Sequence, residues 1–402
     1  MTEDTLNSAS IGAGALLSVL REGPARTRTE LVELTGLART TVSQRLDALL
    51  RHRWVVAADA STSSGGRPAA TFAFNRAARL VLAADLGATH HRVAITDLGT
   101  TVLAERTADV PIDRGPESTL AWLAQTFTEL LAESGYDLAD VCGAGIGLPG
   151  PVEYLTGRPV NPPLMPGWDR FPVPEWLGER LGVPVLVDND VNIMALGEHW
   201  GGHWGGHWAG YPEADQLIFV KIGTGIGCGI ISDGRLHRGA QGAAGDIGHI
   251  RVAAADDEVV CHCGNTGCLE AFAGGAALAA RITASGVLAK DSRDVVRLLG
   301  VGDPEVVHLV RQAGREIGDV LASIVNFFNP GAIVIGGDIA EAGEHLLAGV
   351  REVIYKRSLP LATRHLRIQA SKLGDRAGVV GAAVMVIEHV LAPQAVDTTV
   401  TV

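Results

Sequence analysis

The chain has 402 residues, of which 50 are glycine, 47% are apolar and only 19% are charged. This composition excludes a disordered or fibrous protein, and at this length it favours an α/β protein of two or more domains. No apolar run approaches the ~20 residues of a membrane span, and the N-terminus lacks a signal-peptide pattern, so we expect a cytoplasmic protein with no membrane partner.

The charge is unevenly distributed along the chain. The overall net charge of −12 argues against a nucleic-acid partner, yet residues 1–80 hold ten arginines and seven acidic residues. This segment therefore carries +3 and the remainder −15. A small basic segment joined to an acidic body is typical of a DNA-binding domain attached to a sensor, although such asymmetry is a weak signal alone.

The chain begins with a pattern of short helices. Residues 11–21 place apolar side chains at helical spacing. Thr27 and Glu30 then have the spacing of a capping box, which predicts a short helix over Thr29–Leu34 that Gly36 can end. The sequence therefore predicts two helices before a tight turn.

The next segment has the two-faced pattern of a recognition helix. Its apolar face comprises Leu37, Val42, Leu46, Leu49 and Leu50. Its opposite face carries side chains that can hydrogen-bond base edges or phosphates, namely Arg39, Thr40, Thr41, Ser43, Gln44 and Arg45. We therefore predict that this helix enters the major groove of double-stranded operator DNA.

Two short strands, Val55–Ala57 and Thr71–Phe74, follow and complete the pattern of a winged helix-turn-helix over residues 1–75. The loop between them contains Arg67, which we expect to reach a minor groove; a phosphate contact is the alternative for this residue. The alternative for the whole segment is a helical domain that binds a protein partner.

Residues 78–395 have a different pattern, typical of a two-lobed α/β domain. Strands are predicted at Leu80–Asp85, Arg92–Asp97, Thr101–Arg106, Val141–Leu148, Val183–Val187, Leu217–Ile222, Cys228–Ser232 and Ala332–Ile335. From Gln216 the strand, glycine turn and strand of the first half recur, which indicates duplication with a cleft near residues 188–190. The last helical pattern, Ala377–Val390, is expected to pack on the first lobe.

The segment 198–208 repeats His, Trp and Gly. Its three histidines at a spacing of four could bind a metal in a helix, but the paired glycines oppose a stable helix. We therefore expect an exposed or lobe-bridging loop there.

Three of the five cysteines cluster, which indicates a metal site. Cys261, Cys263 and Cys268 lie within eight residues, and His249 lies twelve residues before Cys261. Three thiolates and one imidazole form a closed tetrahedral set, which predicts one structural zinc ion per chain. The alternative is a chance cluster of free cysteines.

The order of these motifs resembles that of the ROK family, which groups repressors and sugar kinases. The resemblance covers essentially the whole chain. It rests on the helix-turn-helix, the cysteine cluster and four short motifs: Asp85-Leu86-Gly87-Ala88-Thr89, Asn189-Asp190-Val191-Asn192, Gly223-Thr224-Gly225-Ile226-Gly227 and Asp246-Ile247-Gly248-His249. It implies a winged helix-turn-helix plus a two-lobed, actin-like or ribonuclease-H-like domain of the sugar-kinase type.

The resemblance also implies the roles of individual residues. Phosphate binding, active or vestigial, is implied for Asp85, Gly87, Thr89, Gly223, Thr224 and Gly225. Sugar contacts are implied for Asn189, Asp190, Asp246, His249 and Glu270, with Asp190 as the candidate base for a sugar hydroxyl. For Asn189 or Asp190 the alternative is the N-cap of a helix predicted over Val191–Trp200, and the two roles can coexist.

Three departures from the family pattern favour a sensor over a kinase. Ala88 replaces a glycine, and its methyl group is unfavourable if the backbone has positive φ or a phosphate approaches closely. Asp338 replaces the glycine after Gly336-Gly337 and brings a negative charge toward the nucleotide pocket. Asp246 replaces the longer glutamate of the family motif. Tolerated drift at all three positions is the alternative.

From these features we expect a sugar-responsive transcriptional regulator, a repressor of carbohydrate-metabolism genes that binds DNA as a homodimer or homotetramer and takes a monosaccharide effector. The main alternative is an active, glucokinase-like sugar kinase with a DNA-binding appendage, and only that alternative requires Mg-ATP. A weaker alternative is a sensor for zinc itself.

Overall fold

The computed structural model describes residues 12–58, 70–201, 211, 213–252 and 259–401. The helices of these residues are α1 Ala13–Arg21, α2 Arg28–Thr35, α3 Arg39–Arg51, α4 Pro116–Ser134, α5 Val173–Leu181, α6 Asp190–Trp200, α7 Leu269–Ala273, α8 Gly275–Ala284, α9 Ser292–Gly300, α10 Pro304–Phe328, α11 Glu344–Arg357, α12 Pro360–Thr363, α13 Ala377–Val390 and α14 Pro393–Thr401. The strands are β1 Arg26–Thr27, β2 Val55–Ala58, β3 Thr71–Phe74, β4 Leu80–Leu86, β5 His91–Asp97, β6 Val102–Ala108, β7 Val141–Leu148, β8 Val152–Glu153, β9 Arg158–Pro159, β10 Val185–Asn189, β11 Leu217–Ile222, β12 Ile226–Ser232, β13 Arg235–Leu236, β14 Ala332–Gly336 and β15 Arg367–Ala370.

The N-terminal segment folds as a winged helix-turn-helix, as the sequence predicts. The capping box is present, since the Thr27 hydroxyl accepts from the Glu30 backbone N–H and the Glu30 carboxylate accepts from the Thr27 N–H. Helices α1 to α3 and the wing enclose one apolar cluster of buried side chains: Leu16, Leu20, Leu31, Leu46, Leu49, Trp54 and Phe72. The wing has three strands rather than the two predicted, because β1 pairs with β3.

The rest of the chain forms two lobes with the same strand order. The first sheet has the order β10-β7-β4-β5-β6 and the second has the order β13-β12-β11-β14-β15. In each sheet the first three strands along the chain form an antiparallel meander, and the next two are parallel to the first. This repeated topology confirms the duplicated, two-lobed fold predicted from the sequence.

Two helices, α6 and α13, lie between the sheets and join the lobes. Helix α6 follows a strand of the first sheet but packs on β11 and β12 of the second. Helix α13 follows the second sheet and packs on β4 and β7 of the first, as predicted. The two helices contact each other along most of their length, with Gly197 and Gly381 at their closest approach. A change in lobe orientation therefore moves at least one of these helices against the other helix or against a sheet.

The C-terminal helix α14 contacts the winged helix-turn-helix domain. It packs along α1, and the Gly14 backbone N–H donates to Asp397 Oδ1 at 2.8 Å. An ion pair of 2.7 Å between Arg21 and Glu388 joins α1 directly to α13. The chain continues as a helix beyond the predicted domain end at residue 395, to Thr401.

The helix predicted over Val191–Trp200 is present, so the loop expected from residue 198 is wrong at its start. Helix α6 extends to Trp200, and Glu198 and His199 are buried within it. The Glu198 carboxylate accepts from the Ser371 hydroxyl and from the Leu373 backbone N–H, so tertiary contacts extend the helix up to the first glycine pair. His203 and His207 lie outside the described residues.

Among the described residues no single helix has the length and hydropathy of a membrane span. Residues 374–390 and 393–400 meet that test only as a pair, with a bend of 57° between them. Helix α13 of this pair is almost wholly buried between the two sheets.

Candidate functional site

A large cleft of about 800 Å³ lies between the two lobes. Its lining brings together side chains that the sequence predicts as sugar ligands, namely Asn189, Asp190, Asp246, His249 and Glu270. Gly87 of the first turn and the Gly223-Thr224-Gly225 turn also line it. Residues as far apart in the chain as Gly87 and Glu270, 183 positions, thus meet in one concave site, as expected for a ligand-binding cleft.

Asn189 and Asp190 occupy the first-lobe wall of the cleft, where β10 ends and α6 begins. Asn189 is the N-cap of α6, because its Oδ1 accepts from the backbone N–H of Val191 at 3.0 Å. Its Nδ2 also donates to the Gly150 carbonyl oxygen at 2.9 Å. Asp190 is only 5% exposed, and its Oδ1 accepts from the Val191 N–H at 2.8 Å. The capping role predicted as the alternative is therefore present, while both residues still line the cleft.

A buried ion pair that the sequence analysis did not identify positions this strand end. Asp188 is 1% exposed, and its carboxylate accepts from Arg238 Nε at 2.7 Å and from Asn192 Nδ2 at 2.9 Å. The Arg238 guanidinium also stacks over the Tyr154 ring at 3.6 Å. Because a buried carboxylate must be paired, Arg238 of the second lobe fixes the first-lobe strand that carries Asn189 and Asp190.

Lys221 is a second cleft residue that the sequence analysis missed. Its Nζ lies 2.6 Å from Asp190 Oδ2, across the two lobes. Burial lowers the pKa of Lys221, but the charges of Asp190 and Asp85 more than offset this effect and raise the pKa above its ordinary value. The available signal was a lysine within the otherwise apolar strand Leu217–Ile222, directly before the glycine turn.

The predicted phosphate turn of the first lobe follows β4. Asp85 Oδ1 is buried and has no hydrogen-bond partner among the described residues, and burial raises the pKa of this carboxyl to about 6. Ala88 has negative φ, so its methyl group causes no backbone strain. Backbone strain at Ala88 is therefore no objection to phosphate binding. At this residue, the remaining objection is that the methyl group would hinder the close approach of a phosphate. Thr89 is exposed.

The glycine turn of the second lobe is held by Glu270. Glu270 Oε2 accepts from the Ile226 backbone N–H at 3.0 Å and lies against Gly225. One oxygen of this predicted sugar ligand therefore stabilises the turn that forms the predicted phosphate site. The residue links the two predicted subsites within the second lobe.

Asp338 reaches the cleft from the second lobe, as its sequence position suggested. Gly337, with φ of 83°, makes the turn that presents it. Asp338 Oδ2 accepts from the Ser292 hydroxyl at 2.5 Å, and Oδ1 lies 3.9 Å from Nε2 of His90 on the first lobe. A carboxylate thus lies beside the first-lobe turn, where it opposes the binding of phosphate groups.

The predicted metal ligands form one cluster. The ligand atoms of His249, Cys261, Cys263 and Cys268 all lie within 4.8 Å of one another, so these residues could hold a metal ion. His249 Nδ1 faces Cys261 Sγ at 3.5 Å, whereas its Nε2 lies 3.8 Å from Asp246 Oδ1 on the cleft side. One histidine therefore has one ring nitrogen at the metal cluster and the other toward the cleft.

The predicted DNA-reading face lies on α3. Arg39, Thr40 and Gln44 are exposed, whereas Thr41, Ser43 and Arg45 are half-buried. The apolar residues Val42, Leu46 and Leu49 on the opposite face are buried, as predicted. Arg67 and the loop of the wing lie outside the described residues.

Comparison with known proteins gives matches to both parts of the chain. Residues 81–389 match the profile of the ROK family, and residues 13–59 match that of the IclR helix-turn-helix domain. A putative xylose repressor of Caldicellulosiruptor sp. (strain Rt8B.4) is 32% identical over 91% of this chain and 92% of its own length.

Two solved structures show which other proteins share the fold. A ROK family transcriptional regulator, described as a homologue of the E. coli MLC protein, superposes with a TM-score of 0.80, 28% identity and coverage of 97% of this chain and 98% of its own. A ROK family glucokinase from Streptomyces griseus, in complex with glucose and AMPPNP, superposes with a TM-score of 0.64 and 28% identity. The match covers 76% of this chain and 98% of the glucokinase.

Proposed function

The chain belongs to the ROK family and is a sugar-responsive transcriptional repressor within it, and we propose that its cleft binds a monosaccharide without phosphorylating it. The helix-turn-helix at residues 13–59 supports the repressor function, and the glucokinase covers only 76% of this chain. The family likeness by itself would leave both activities open, so the site must decide between them.

The observation that carries the proposal is the continuous contact between the cleft and the DNA-binding domain. Asp190 is the first residue of α6, α6 packs along α13, and α13 leads into α14, which packs on α1. A sugar that binds the two lobe orientations with different affinity would shift α6 against α13 and thereby move α1. Sugar binding and operator binding would then be coupled through packed helices.

The cleft has the chemistry of a sugar site. Carboxylates, an amide and an imidazole provide donors and acceptors for several hydroxyl groups, with Asn189, Asp190, Asp246, His249 and Glu270 as the proposed ligands. These ligands lie on both lobes of the cleft, so one sugar could contact both lobes at once. This arrangement supports a ligand that stabilises one lobe orientation over another.

We propose zinc as the metal of the cysteine cluster, with a structural role. Tetrahedral zinc bonds of about 2.3 Å to sulfur and 2.0–2.1 Å to nitrogen require S–S distances near ~3.8 Å and S–N distances near ~3.5 Å. The distances here, 3.7 Å between Cys263 and Cys268 and 3.5 Å between Cys261 and His249, fit these values. Such an ion would fix the ring of His249 with its second nitrogen toward the sugar.

DNA recognition through α3 is tested with DNA selected from a random library by the purified protein. Gln44→Ala and Arg39→Ala should each weaken binding by at least about fivefold, because a base or phosphate contact is worth roughly 1–3 kcal/mol. Arg235→Ala removes an exposed arginine of the second lobe and is the matched control. Equal effects of Arg39→Ala and Arg235→Ala would show that only overall charge matters.

The second candidate, an active sugar kinase, is favoured by the retention of Asp190 and the glycine turn in one cleft. A coupled assay with ATP, Mg²⁺ and common hexoses, pentoses and amino sugars separates the two proposals. We expect no turnover above background. Turnover at ordinary enzyme rates of about 1–10³ per second would establish the kinase instead.

A cytoplasmic location and a homodimer or homotetramer complete the proposal, since a symmetric reader suits palindromic operators. Large apolar side chains support self-association, because Phe327 is 92% and Leu361 is 80% exposed. Light scattering coupled to size-exclusion chromatography tests the assembly, and a monomer at micromolar concentration would contradict it.

A further inference from the structure

The cleft contains a fixed positive charge beside the carboxylate of Asp190. Lys221 Nζ lies 2.6 Å from Asp190 Oδ2, and the charges of Asp85 and Asp338 also act on it. The four side chains come from both lobes: Asp85 and Asp190 from the first, Lys221 and Asp338 from the second. Without the lysine, this cluster would hold three acidic groups and no cation of its own.

The lysine is built into the site rather than reaching it from the surface. Lys221 belongs to the central strand β11 of the second sheet, whose other residues are buried apolar side chains. Its side chain is 20% exposed and runs alongside the glycine turn, with Cε 3.6 Å from the position of a Cβ on Gly223. The strand therefore fixes where the ammonium group can lie.

Carboxylates are the ligands that hard divalent cations prefer. Asp190 and Asp338 line the cleft, and Asp85 is buried near the end of β4. Phosphoryl transfer needs a divalent cation to neutralise the phosphate charges, and it needs a carboxylate free to accept the hydroxyl proton. Lys221 interferes with both requirements, because it pairs with Asp190 and supplies a charge that cannot coordinate phosphate oxygens as a metal does. Mg-ATP does not fit the residues that are present.

We propose that the Lys221 ammonium group occupies the cation position of the cleft and makes it a metal-independent site for a neutral sugar hydroxyl. An ammonium group can donate to the hydroxyl oxygen while Asp190 accepts the hydroxyl proton in a hydrogen bond. The hydroxyl is thereby held in its ground state without transfer of the proton. This inference rests on the proposed sugar-binding function and names the residue that separates binding from turnover.

The experiment measures Mn²⁺ binding to the full-length protein by electron paramagnetic resonance, without sugar or DNA. Lys221→Met keeps the side-chain length and removes the charge, and Lys356→Met at an exposed position of α11 is the matched control. We expect Lys221→Met to gain one Mn²⁺ site with a Kd of about 1 mM or below, absent from the wild type and from the control. Asp190→Asn in the Lys221→Met background should abolish the gained site.

A folded Lys221→Met protein without this site, or a wild type that already binds Mn²⁺ as tightly, would overturn the inference. Should Lys221→Met not fold, calorimetry of the wild type with Mg·AMPPNP replaces it: no binding at about 1 mM supports the inference, and tight binding overturns it. These outcomes are independent of the proposed function, whose failure would appear as operator binding that no sugar affects.

Discussion

The contact between α6 and α13 can be tested by adding one methyl group. In Gly381→Ala the new Cβ would lie 2.5 Å from the Ile193 carbonyl carbon and 2.8 Å from the Gly197 backbone nitrogen. Carbon atoms pack at about 3.5–4.0 Å, so the helices would have to separate by about 1 Å or more. Backbone atoms cannot rotate away, which places the cost at about 2–3 kcal/mol even after the gain of up to about 1 kcal/mol from alanine in a helix.

The assay is thermal unfolding of the sensor domain, with Gly300→Ala as the matched control. Gly300 ends helix α9 and has no atom within 4 Å of its Cβ position, so this substitution should leave stability within about 0.5 kcal/mol. Gly381→Ala should lower the Tm by roughly 3–5 °C, because an unfolding entropy of about 2.1 cal/mol/K per residue over residues 78–395 gives about 1.5 °C per kcal/mol. A Tm equal to that of Gly300→Ala would refute the close packing of the two helices.

Three further predictions concern the metal, the pH dependence and the domain contact. Cys263→Ser should lower zinc affinity by more than about 100-fold and destabilise the sensor domain. The control Cys142→Ser should retain one zinc per chain by metal analysis. Wild-type protein that lacks zinc after purification without a chelator would contradict this prediction. Burial lowers the pKa of His91, which packs on Trp122, to about 4. The neutral His91 therefore contributes fully to stability above about pH 6.5, and roughly 3 kcal/mol of stability is lost as the pH falls toward 4. His91→Phe should flatten this part of the profile of stability against pH, and an unchanged profile would exclude His91 as the cause. Asp397→Ala should leave sugar affinity unchanged but reduce the effect of sugar on DNA binding, and an undiminished sugar effect would exclude the α14 contact as part of the coupling.

Much of the fold follows from the sequence because the local signals agree. The capping box at Thr27 and Glu30, the strand Val141–Leu148 and the closing helix Ala377–Val390 are all found as predicted. The metal cluster could also be predicted from the sequence, since four residues of metal-ligand type at short spacing rarely have another role. Local periodicity and short motifs were sufficient for these features.

What the sequence analysis missed depends on contacts between distant residues. The ion pairs of Lys221 with Asp190 and of Arg238 with Asp188 join residues 31 and 50 positions apart, which only the assembled lobes bring together. The docking of α14 on α1 joins the two ends of the chain.

The long helix α10 was not among the predicted elements, although its sequence contains the signal. Asp303 caps it, Pro304 begins it, and its buried side chains recur at helical spacing: Val306, Leu309, Val310, Ala313, Ile317 and Leu321. The helices that pack around it complete the second lobe on the face of the sheet away from α6. Its absence from the prediction leaves the cleft unaffected, because no residue of α10 lines the cleft.

The central claim is that one monosaccharide controls operator binding without being consumed. The most direct measurement is the Kd for selected operator DNA during titration with D-xylose, D-glucose and further monosaccharides, in parallel with an assay of sugar phosphorylation. We predict that one sugar changes the Kd by about 5-fold or more, that Asp190→Asn abolishes this effect, and that no sugar phosphate forms. A Kd that no sugar changes, or a change that requires ATP turnover, would contradict the account.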